Sequence, residues 1–263
     1  MLLNDTTPFD VTEAYKTLRT NTTFTLAAVP HDTPHRNVFS VSSSVPGEGK
    51  SLTSANLAIS FAQTGSRVLL VDADMRKPVQ HRTFGIPNDT GLSTVLLSID
   101  KMPTMMHQNV RPGLDIITSG PIPPNPSELL GSQVMNTFLD VVSRVYDYVI
   151  IDTPPVTIVT DALTFSFNTA GILLAISPDV CLHNDIKKAL DAIELSNTHI
   201  LGTVLSNTLT GTARYGYKKG GSYYRYYRRD KYGYKYGYKY GYAYKQSGSD
   251  EKKTAQKNDT EKK

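Results

Sequence analysis

Apolar runs and amphipathic segments alternate along most of the chain. Short apolar runs bounded by turn residues predict strands at 37–42, 67–71, 114–118, 148–151, 171–176 and 200–205. Residues 11–21, 50–64, 133–145 and 184–196 have the spacing of helices, and Asp10 is the predicted N-cap residue of the first. Because strands that alternate with helices are typical of α/β folds, we predict a mostly parallel sheet flanked by helices.

The periodic pattern ends near residue 209. Tyrosine, glycine and lysine dominate the next segment, and a polar run follows at 246–263. Residues 210–263 contain almost no aliphatic side chain, so they cannot build a packed core and we predict a disordered tail. The rest of the sequence divides into an N-terminal helix with its connector, residues 1–35, and a main domain, residues 36–209.

Charge is distributed unevenly between the body and the tail. Residues 1–209 carry 13 Lys/Arg and 19 Asp/Glu, a net charge of −6. Residues 210–263 carry 15 Lys/Arg and 5 Asp/Glu, a net charge of +10. A basic tail on an acidic body is typical of an interaction or regulatory segment.

Cysteine content and hydropathy indicate the compartment. Cys181 is the only cysteine, which excludes an internal disulfide and favours a reducing environment. The first ten residues lack the pattern of a secretory signal, and the longest mainly apolar stretch, 162–176, is too short and too polar to span a membrane. We therefore expect a cytoplasmic protein.

The segment between the strand at 37–42 and the helix at 50–64 matches a Walker A loop. It reads SSSVPGEGKS over residues 42–51, with Ser44 where the usual pattern has glycine. Backbone N–H groups of such a loop bind phosphate oxygens, Lys50 reaches the β- and γ-phosphates, and the Ser51 hydroxyl binds Mg²⁺. The alternative is a glycine-rich turn before an ordinary helix. The candidate ATP contacts are Pro46, Gly47, Glu48, Gly49, Lys50, Ser51 and Leu52.

Two further apolar strands end in aspartate. Asp72 and Asp74 follow one of them, together with Arg76, and Asp152 follows the other. Ligands of open α/β sheets lie beyond the carboxyl ends of the strands, so these carboxylates should converge with Lys50. A Mg²⁺ ion bound by Ser51, Asp72 and Asp152 would offset their mutual repulsion. Either aspartate taken singly could instead be a helix N-cap.

These motifs together resemble one protein family. They are EAYKTLRTN at 13–21, SSVPGEGKS at 43–51, VDADMR at 71–76, GPIPPNPSELL at 120–130 and IIDTPP at 150–155, followed by a tyrosine-rich C-terminus. Their order and spacing resemble the bacterial tyrosine kinases of capsular and exopolysaccharide clusters, in the cytoplasmic form typical of Gram-positive bacteria. The resemblance covers nearly the whole chain.

The resemblance implies an ATP- and Mg²⁺-dependent autokinase that regulates polysaccharide synthesis or export. Its motif positions make Lys50, Asp72, Asp74, Asp152 and Arg76 the catalytic residues. Asp74 would orient or deprotonate the acceptor hydroxyl, and Arg76 would steady the phosphates or pair with Asp74. Asn207 corresponds to the position that reads adenine in related ATPases, although an ordinary turn asparagine fits equally well.

The resemblance also implies partners. In the family, the helix face that carries Glu13, Lys16 and Arg19 joins neighbouring subunits into a ring. Lys16 replaces the usual arginine, which weakens a bidentate contact there, and a solvated charged face is the alternative. A membrane-anchored adaptor of the polysaccharide co-polymerase type would activate the kinase at the inner face of the plasma membrane, and a tyrosine phosphatase would reset it.

Thirteen of the sixteen tyrosines lie in the basic tail. They are Tyr215, Tyr217, Tyr223, Tyr224, Tyr226, Tyr227, Tyr232, Tyr234, Tyr236, Tyr238, Tyr240, Tyr242 and Tyr244. As phospho-acceptors they would each gain a charge of about −1.5 to −2, so a few phosphates would reverse the charge of the tail. A contact with nucleic acid or anionic membrane, and a plain solubilising tail, are the alternatives. We favour the acceptor role and do not expect a nucleic-acid partner.

A nucleotide-switch ATPase of the partitioning or septum-site kind is the main alternative function. Such ATPases share the P-loop and both aspartate strands, but they usually carry a lysine early in the loop, and residues 43–46 contain none. That difference and the tyrosine cluster favour the kinase. A non-catalytic scaffold does not explain the complete set of Lys50, Ser51, Asp72 and Asp152.

Overall fold

A computed structural model of the protein describes residues 1–206. Within this range the chain forms a seven-stranded sheet with the order β3-β4-β2-β5-β1-β6-β7. The strands are β1 (Val38–Ser43), β2 (Val68–Asp72), β3 (His107–Arg111), β4 (Leu114–Ile117), β5 (Tyr148–Asp152), β6 (Ile172–Ile176) and β7 (Ile200–Leu205). All neighbouring strands pair in parallel except β3, which pairs antiparallel to β4 at the edge.

Helices cover both faces of the sheet. They are α1 (Phe9–Ala28), α2 (Lys50–Ala62), α3 (Gln80–Phe84), α4 (Leu92–Val95), α5 (Met102–Met105), α6 (Pro126–Leu130), α7 (Gln133–Val145), α8 (Leu163–Ser166) and α9 (His183–Leu195), with a 3-10 turn at Ile99–Lys101. No helix within residues 1–206 is both long enough and apolar enough to span a membrane.

Alternating side chains of the strands build a core on each face. On β1, Phe39 and Val41 belong to the cluster under α1 and α2, and the Phe39 ring lies 6.5 Å from the ring of Phe61. Val38 points to the other face and packs in the cluster that contains Phe138 of α7. β1 is therefore buried on both sides, as expected for an interior strand of a parallel sheet.

The position of β1 decides where a ligand can bind. β1 lies between β5 and β6, and β2 lies on the other side of β5. Asp72 and Asp152 are register partners at the carboxyl ends of β2 and β5. The loop that follows β1 leads to Lys50 at the same edge, where open parallel sheets bind ligands.

The structure confirms the predicted fold class, and every predicted strand is present to within a residue or two. The edge strand β3 was missed, because its half-exposed sequence HQNVR has no apolar alternation. The prediction that Asp10 caps the first helix is wrong. That helix begins earlier, after Pro8, and Asp10 lies in its first turn, where a carboxylate still interacts favourably with the helix dipole. The predicted tail lies outside the described residues.

Gly91 allows two backbone segments to approach closely. Leu92 N and Ser93 N donate to Thr118 O and Ser119 O at 2.7 and 2.9 Å. A Cβ atom on Gly91 would overlap the Thr118 carbonyl oxygen. The φ angle of Gly91 is 172°, which any residue adopts, so the restriction is purely steric.

We expect Gly91→Ala to lower the free energy of unfolding by about 1–3 kcal/mol, since overpacking forces the backbone to move. Urea denaturation of the purified variant measures this. Gly131→Ala is the matched control, because its Cβ would meet its nearest atom, Ser127 O, at 3.2 Å. Equal losses in the two variants would contradict the steric argument.

Candidate functional site

The loop between β1 and α2 has the backbone of a phosphate-binding loop. Gly47 and Gly49 have φ angles of +92° and +85°, in the left-handed region that favours glycine. Gly49 is also the N-cap residue of α2, which begins at Lys50. The first turn of that helix therefore points its N–H groups and the positive end of its dipole at the loop.

The buried side chain of Glu48 stabilises this loop through hydrogen bonds. Its carboxylate is buried and accepts hydrogen bonds from Ser44 Oγ and Val45 N, both at 2.7 Å, and from Ser177 N at 3.1 Å. The serine that replaces the usual glycine at position 44 therefore has a partner within the loop. The side chain of Glu48 is turned inward and holds the shape of the loop, while its predicted contact with ATP stays a prediction.

Lys50 lies among carboxylates. Its Nζ atom is 3.0 Å from Asp74 Oδ2, 3.6 Å from Asp152 Oδ1 and 3.1 Å from Ser51 Oγ. Burial by itself lowers the pKa of Lys50, but the charges of Asp152, Asp74 and Asp72 outweigh it, so the net effect is a raised pKa. The lysine is therefore a permanent cation at the phosphate loop.

Asp72 and Asp152 are fully buried beside each other. Burial, followed by the charge of Asp152, raises the pKa of Asp72 to about 7. Burial also raises the pKa of Asp152, although Lys50 opposes part of this effect. Two adjacent buried carboxyls favour a nearby cation, and carboxylate and hydroxyl oxygens suit Mg²⁺. Asp72, Asp152 and Ser51 therefore fit the predicted metal site.

Asp72 also organises the chain after β2. Its Oδ2 atom accepts the backbone N–H groups of Val79 at 3.0 Å and Gln80 at 2.9 Å, and its Oδ1 atom accepts that of Asp74 at 3.2 Å. Asp72 therefore fulfils part of the alternative role of a helix N-cap, because it accepts the N–H group of Gln80, the first residue of α3. The N-cap position itself belongs to Val79.

The structure gives Arg76 a partner that the sequence did not indicate. Arg76 Nε and Nη2 donate to the two oxygens of Asp161 at 2.8 and 3.0 Å, and Nη2 also donates to Ser127 Oγ at 3.0 Å. Asp161 is fully buried and accepts a further hydrogen bond from the Ser127 hydroxyl. Three segments are joined at this point: the loop after β2, the first turn of α6 and the loop after β5.

Asp74 was predicted to act on the acceptor hydroxyl. It is buried, and its two oxygens accept from Lys50 Nζ at 3.0 Å and from Lys77 N at 3.0 Å. The carboxylate thus lies within contact distance of the cation that the Walker motif assigns to the phosphates. Its position beside the phosphate loop is compatible with the predicted role.

A cavity of about 580 Å³ adjoins the phosphate loop. Its walls include Gly47, Gly49, Leu52 and Ser206 on one side and Val11, Ala14 and Tyr15 of α1 on the other. Helix α1 packs on α2 and β7, so the N-terminal segment forms part of the nucleotide end of the domain. Asn207, the predicted adenine contact, lies outside the described residues.

The predicted interface residues lie on α1. Lys16 Nζ pairs with Glu13 Oε1 at 2.7 Å, and both side chains are exposed. Arg19 Nη1 donates to Ser60 O at 2.7 Å and so joins α1 to α2. Glu13 and Lys16 remain candidates for subunit contacts, whereas Arg19 also has a role within the chain.

The P-loop between β1 and α2, with aspartates at the ends of both β2 and β5, defines a P-loop nucleotide-binding domain. A family model described as an AAA domain matches residues 36–200, which agrees with ATP binding at this site.

Comparison with known proteins identifies the particular kind of P-loop protein. The tyrosine-protein kinase YwqD of Bacillus subtilis (strain 168) is 41% identical over 206 residues, which cover 78% of this chain and 85% of YwqD. Among solved structures, the chimerical protein CapA2B2 has a TM-score of 0.68 and 38% identity, with 76% of this chain and 85% of that one covered. The kinase domain of the Escherichia coli tyrosine kinase ETK has a TM-score of 0.69 and 30% identity, with 79% and 80% covered. The chain belongs to the bacterial tyrosine-protein kinase family.

We expect Lys50→Met to weaken ATP binding by about 10- to 100-fold, since hydrogen bonds to charged groups are worth about 1.5–3 kcal/mol. Calorimetric titration with ATP measures the change. Lys101→Met, which removes an exposed lysine, is the control and should bind ATP as the unmodified protein does. Unchanged affinity in Lys50→Met would remove the assignment of the phosphate site.

Glu48→Ala should weaken ATP binding and lower the free energy of unfolding by about 1–3 kcal/mol, because the buried N–H group of Ser177 and the partly buried N–H group of Val45 lose their acceptor. ATP titration and urea denaturation report the two effects. The exposed Glu194→Ala is the matched control. If only stability fell, Glu48 would have no part in shaping the phosphate loop.

Proposed function

We propose that this kinase transfers the γ-phosphoryl group of Mg-ATP to the tyrosines of its own C-terminal segment, in trans between subunits. The observation that carries the proposal is the convergence of Lys50, Asp74 and Asp152 at the phosphate loop. A group that binds phosphate and a carboxylate that can receive a proton thus lie side by side. Phosphoryl transfer needs little more than such positioning and charge neutralisation.

The phosphate end of the site supplies the charge neutralisation. Ser51, Asp72 and Asp152 would hold Mg²⁺, which would neutralise charge on the β- and γ-phosphate oxygens. Lys50, whose Nζ atom donates to Asp74 Oδ2, would turn to the phosphates when ATP binds. That exchange would release one oxygen of Asp74.

The acceptor end of the site supplies the nucleophile. The tyrosine hydroxyl oxygen forms a bond to the γ-phosphorus, the bond from that phosphorus to the β–γ bridging oxygen breaks, and ADP leaves. Asp74 orients the hydroxyl and receives its proton. The Arg76–Asp161 pair supports the loop that carries Asp74.

The origin of the tail supports autophosphorylation. Ser206, the last described residue, donates its hydroxyl hydrogen bond to Glu48 O in the phosphate loop. Tyr215 follows nine positions later in the sequence. The basic residues of the tail attract it to an acidic body, and each added phosphate weakens that attraction.

The biological setting is proposed from the family. The kinase would form a ring through the α1 face that carries Glu13 and Lys16, and a membrane-anchored adaptor would hold and activate it at the inner face of the plasma membrane. A protein-tyrosine phosphatase would reverse the modification. The cycle would regulate capsular or exopolysaccharide biosynthesis and export.

Replacing all thirteen tail tyrosines with Phe should abolish incorporation of phosphate and leave ATP affinity unchanged, because the acceptors are removed and the nucleotide site is kept. Intact-mass and phosphosite analysis after incubation with Mg-ATP, with and without the adaptor's cytoplasmic segment, measures incorporation. A mixture of this variant with Lys50→Met tests transfer in trans, since one supplies the active site and the other the tail.

Phosphate on the tail of Lys50→Met in that mixture would support transfer between subunits. No phosphate on the mixture, with normal modification of the unmodified protein, would show transfer within one chain. Turnover of ATP to ADP and free phosphate with an unmodified tail, even with the adaptor segment present, would favour the nucleotide-switch ATPase.

A further inference from the structure

Gln80 joins the three segments that build the metal side of the phosphate site. Its Nε2 atom donates to Asp152 Oδ2 at 2.7 Å and to Ser51 O at 2.9 Å. Its backbone N–H donates to Asp72 Oδ2 at 2.9 Å. Gln80 is fully buried, and the sequence motifs do not assign it to the site.

The orientation of the Gln80 amide follows from its partners. Ser51 O is a backbone carbonyl oxygen, which can only accept a hydrogen bond, so the amide nitrogen must face it. The amide oxygen must then point the other way. Oε1 is buried and has no hydrogen-bond partner within residues 1–206.

A buried acceptor without a partner costs about 1–3 kcal/mol, and an apolar side chain at this position would avoid that cost. The Nε2 group of Gln80 explains how the side chain binds Asp152, but it does not explain why an amide oxygen, Oε1, is buried here without a partner. An oxygen left unpaired in the side chain that holds Asp152 suits a donor that arrives with the ligand. Mg²⁺ keeps several of its waters when it binds a nucleotide site, and such waters donate hydrogen bonds.

We propose that Gln80 is a positioning residue of the metal site, which fixes the Asp152 carboxylate through Nε2 and accepts a hydrogen bond from a metal-bound water through Oε1. Residues of this kind orient the metal ligands without binding the ion, and their loss typically weakens metal binding by about 10- to 100-fold. The inference rests on the proposed Mg-ATP site and does not depend on transfer to tyrosine.

Two substitutions at this position should act in opposite directions. Gln80→Met keeps the length of the side chain and removes the donor and the acceptor. Gln80→Glu keeps an acceptor oxygen but replaces the Nε2 donor with a second acceptor beside Ser51 O and Asp152 Oδ2. Its added negative charge repels ATP in the absence of a cation and is offset by Mg²⁺ in its presence.

The measured quantity is the ratio of ATP affinity in excess Mg²⁺ to ATP affinity in EDTA, from calorimetric titration of the full chain. We expect Gln80→Met to lower this ratio by about tenfold or more, with little change in EDTA. Gln80→Glu should raise the ratio. Gln63→Leu, an exposed glutamine at the far end of α2, is the matched control and should leave it unchanged.

Equal weakening of ATP binding with and without Mg²⁺ in both variants would show a purely structural role and overturn the proposal, as would unchanged ratios. Thermal unfolding without nucleotide establishes that each variant is folded. If Gln80→Met does not fold, the sign of the change in Gln80→Glu decides by itself. A protein that binds Mg-ATP normally but leaves its tail unmodified would contradict the proposed function and leave this inference standing.

Discussion

The site depends on negative charge that is buried at the ends of two neighbouring strands. Asp72 and Asp152 are register partners in the middle of the sheet, fully buried, with pKa values raised first of all by burial. Such a pair is stable only near positive charge or protons. Lys50 supplies positive charge in the structure described here, and a nucleotide with its cation would supply it during function. In the proposed function, a nucleotide and its cation at the phosphate loop would therefore reduce the repulsion between these two carboxylates.

The loops around the two buried aspartates are held in place by further buried carboxylates. Glu48 holds the phosphate loop through Ser44, Val45 and Ser177, while Asp161 holds the chain after β2 through Arg76. Both carboxylates are buried, so their hydrogen bonds are largely protected from water. Groups that must neutralise charge during phosphoryl transfer work best when they are already in place, because no energy is then spent on reorganising them.

Helix α1 places the N-terminal segment beside the phosphate loop. It packs on α2 and β7 and lines the cavity beside the phosphate loop, while Glu13 and Lys16 on its outer surface remain exposed. A helix placed in this way can contact a neighbouring subunit and the nucleotide end of its own domain. In the proposed function, subunit association and ATP binding would therefore influence each other through one rigid element.

The sequence by itself determined the fold class and six of the seven strands, and it predicted the Walker residues Lys50, Ser51, Asp72 and Asp152, because strand periodicity and loop motifs are local in sequence. Tertiary structure decided what lies far apart along the chain. The edge strand β3 depends on pairing with β4, not on its own pattern. The partners of Arg76, the inward turn of Glu48 and the place of Gln80 all depend on contacts between segments that only the folded sheet brings together. Local propensity carries no information about such contacts, since hydrogen bonds of buried polar groups are satisfied by whichever segments pack beside them.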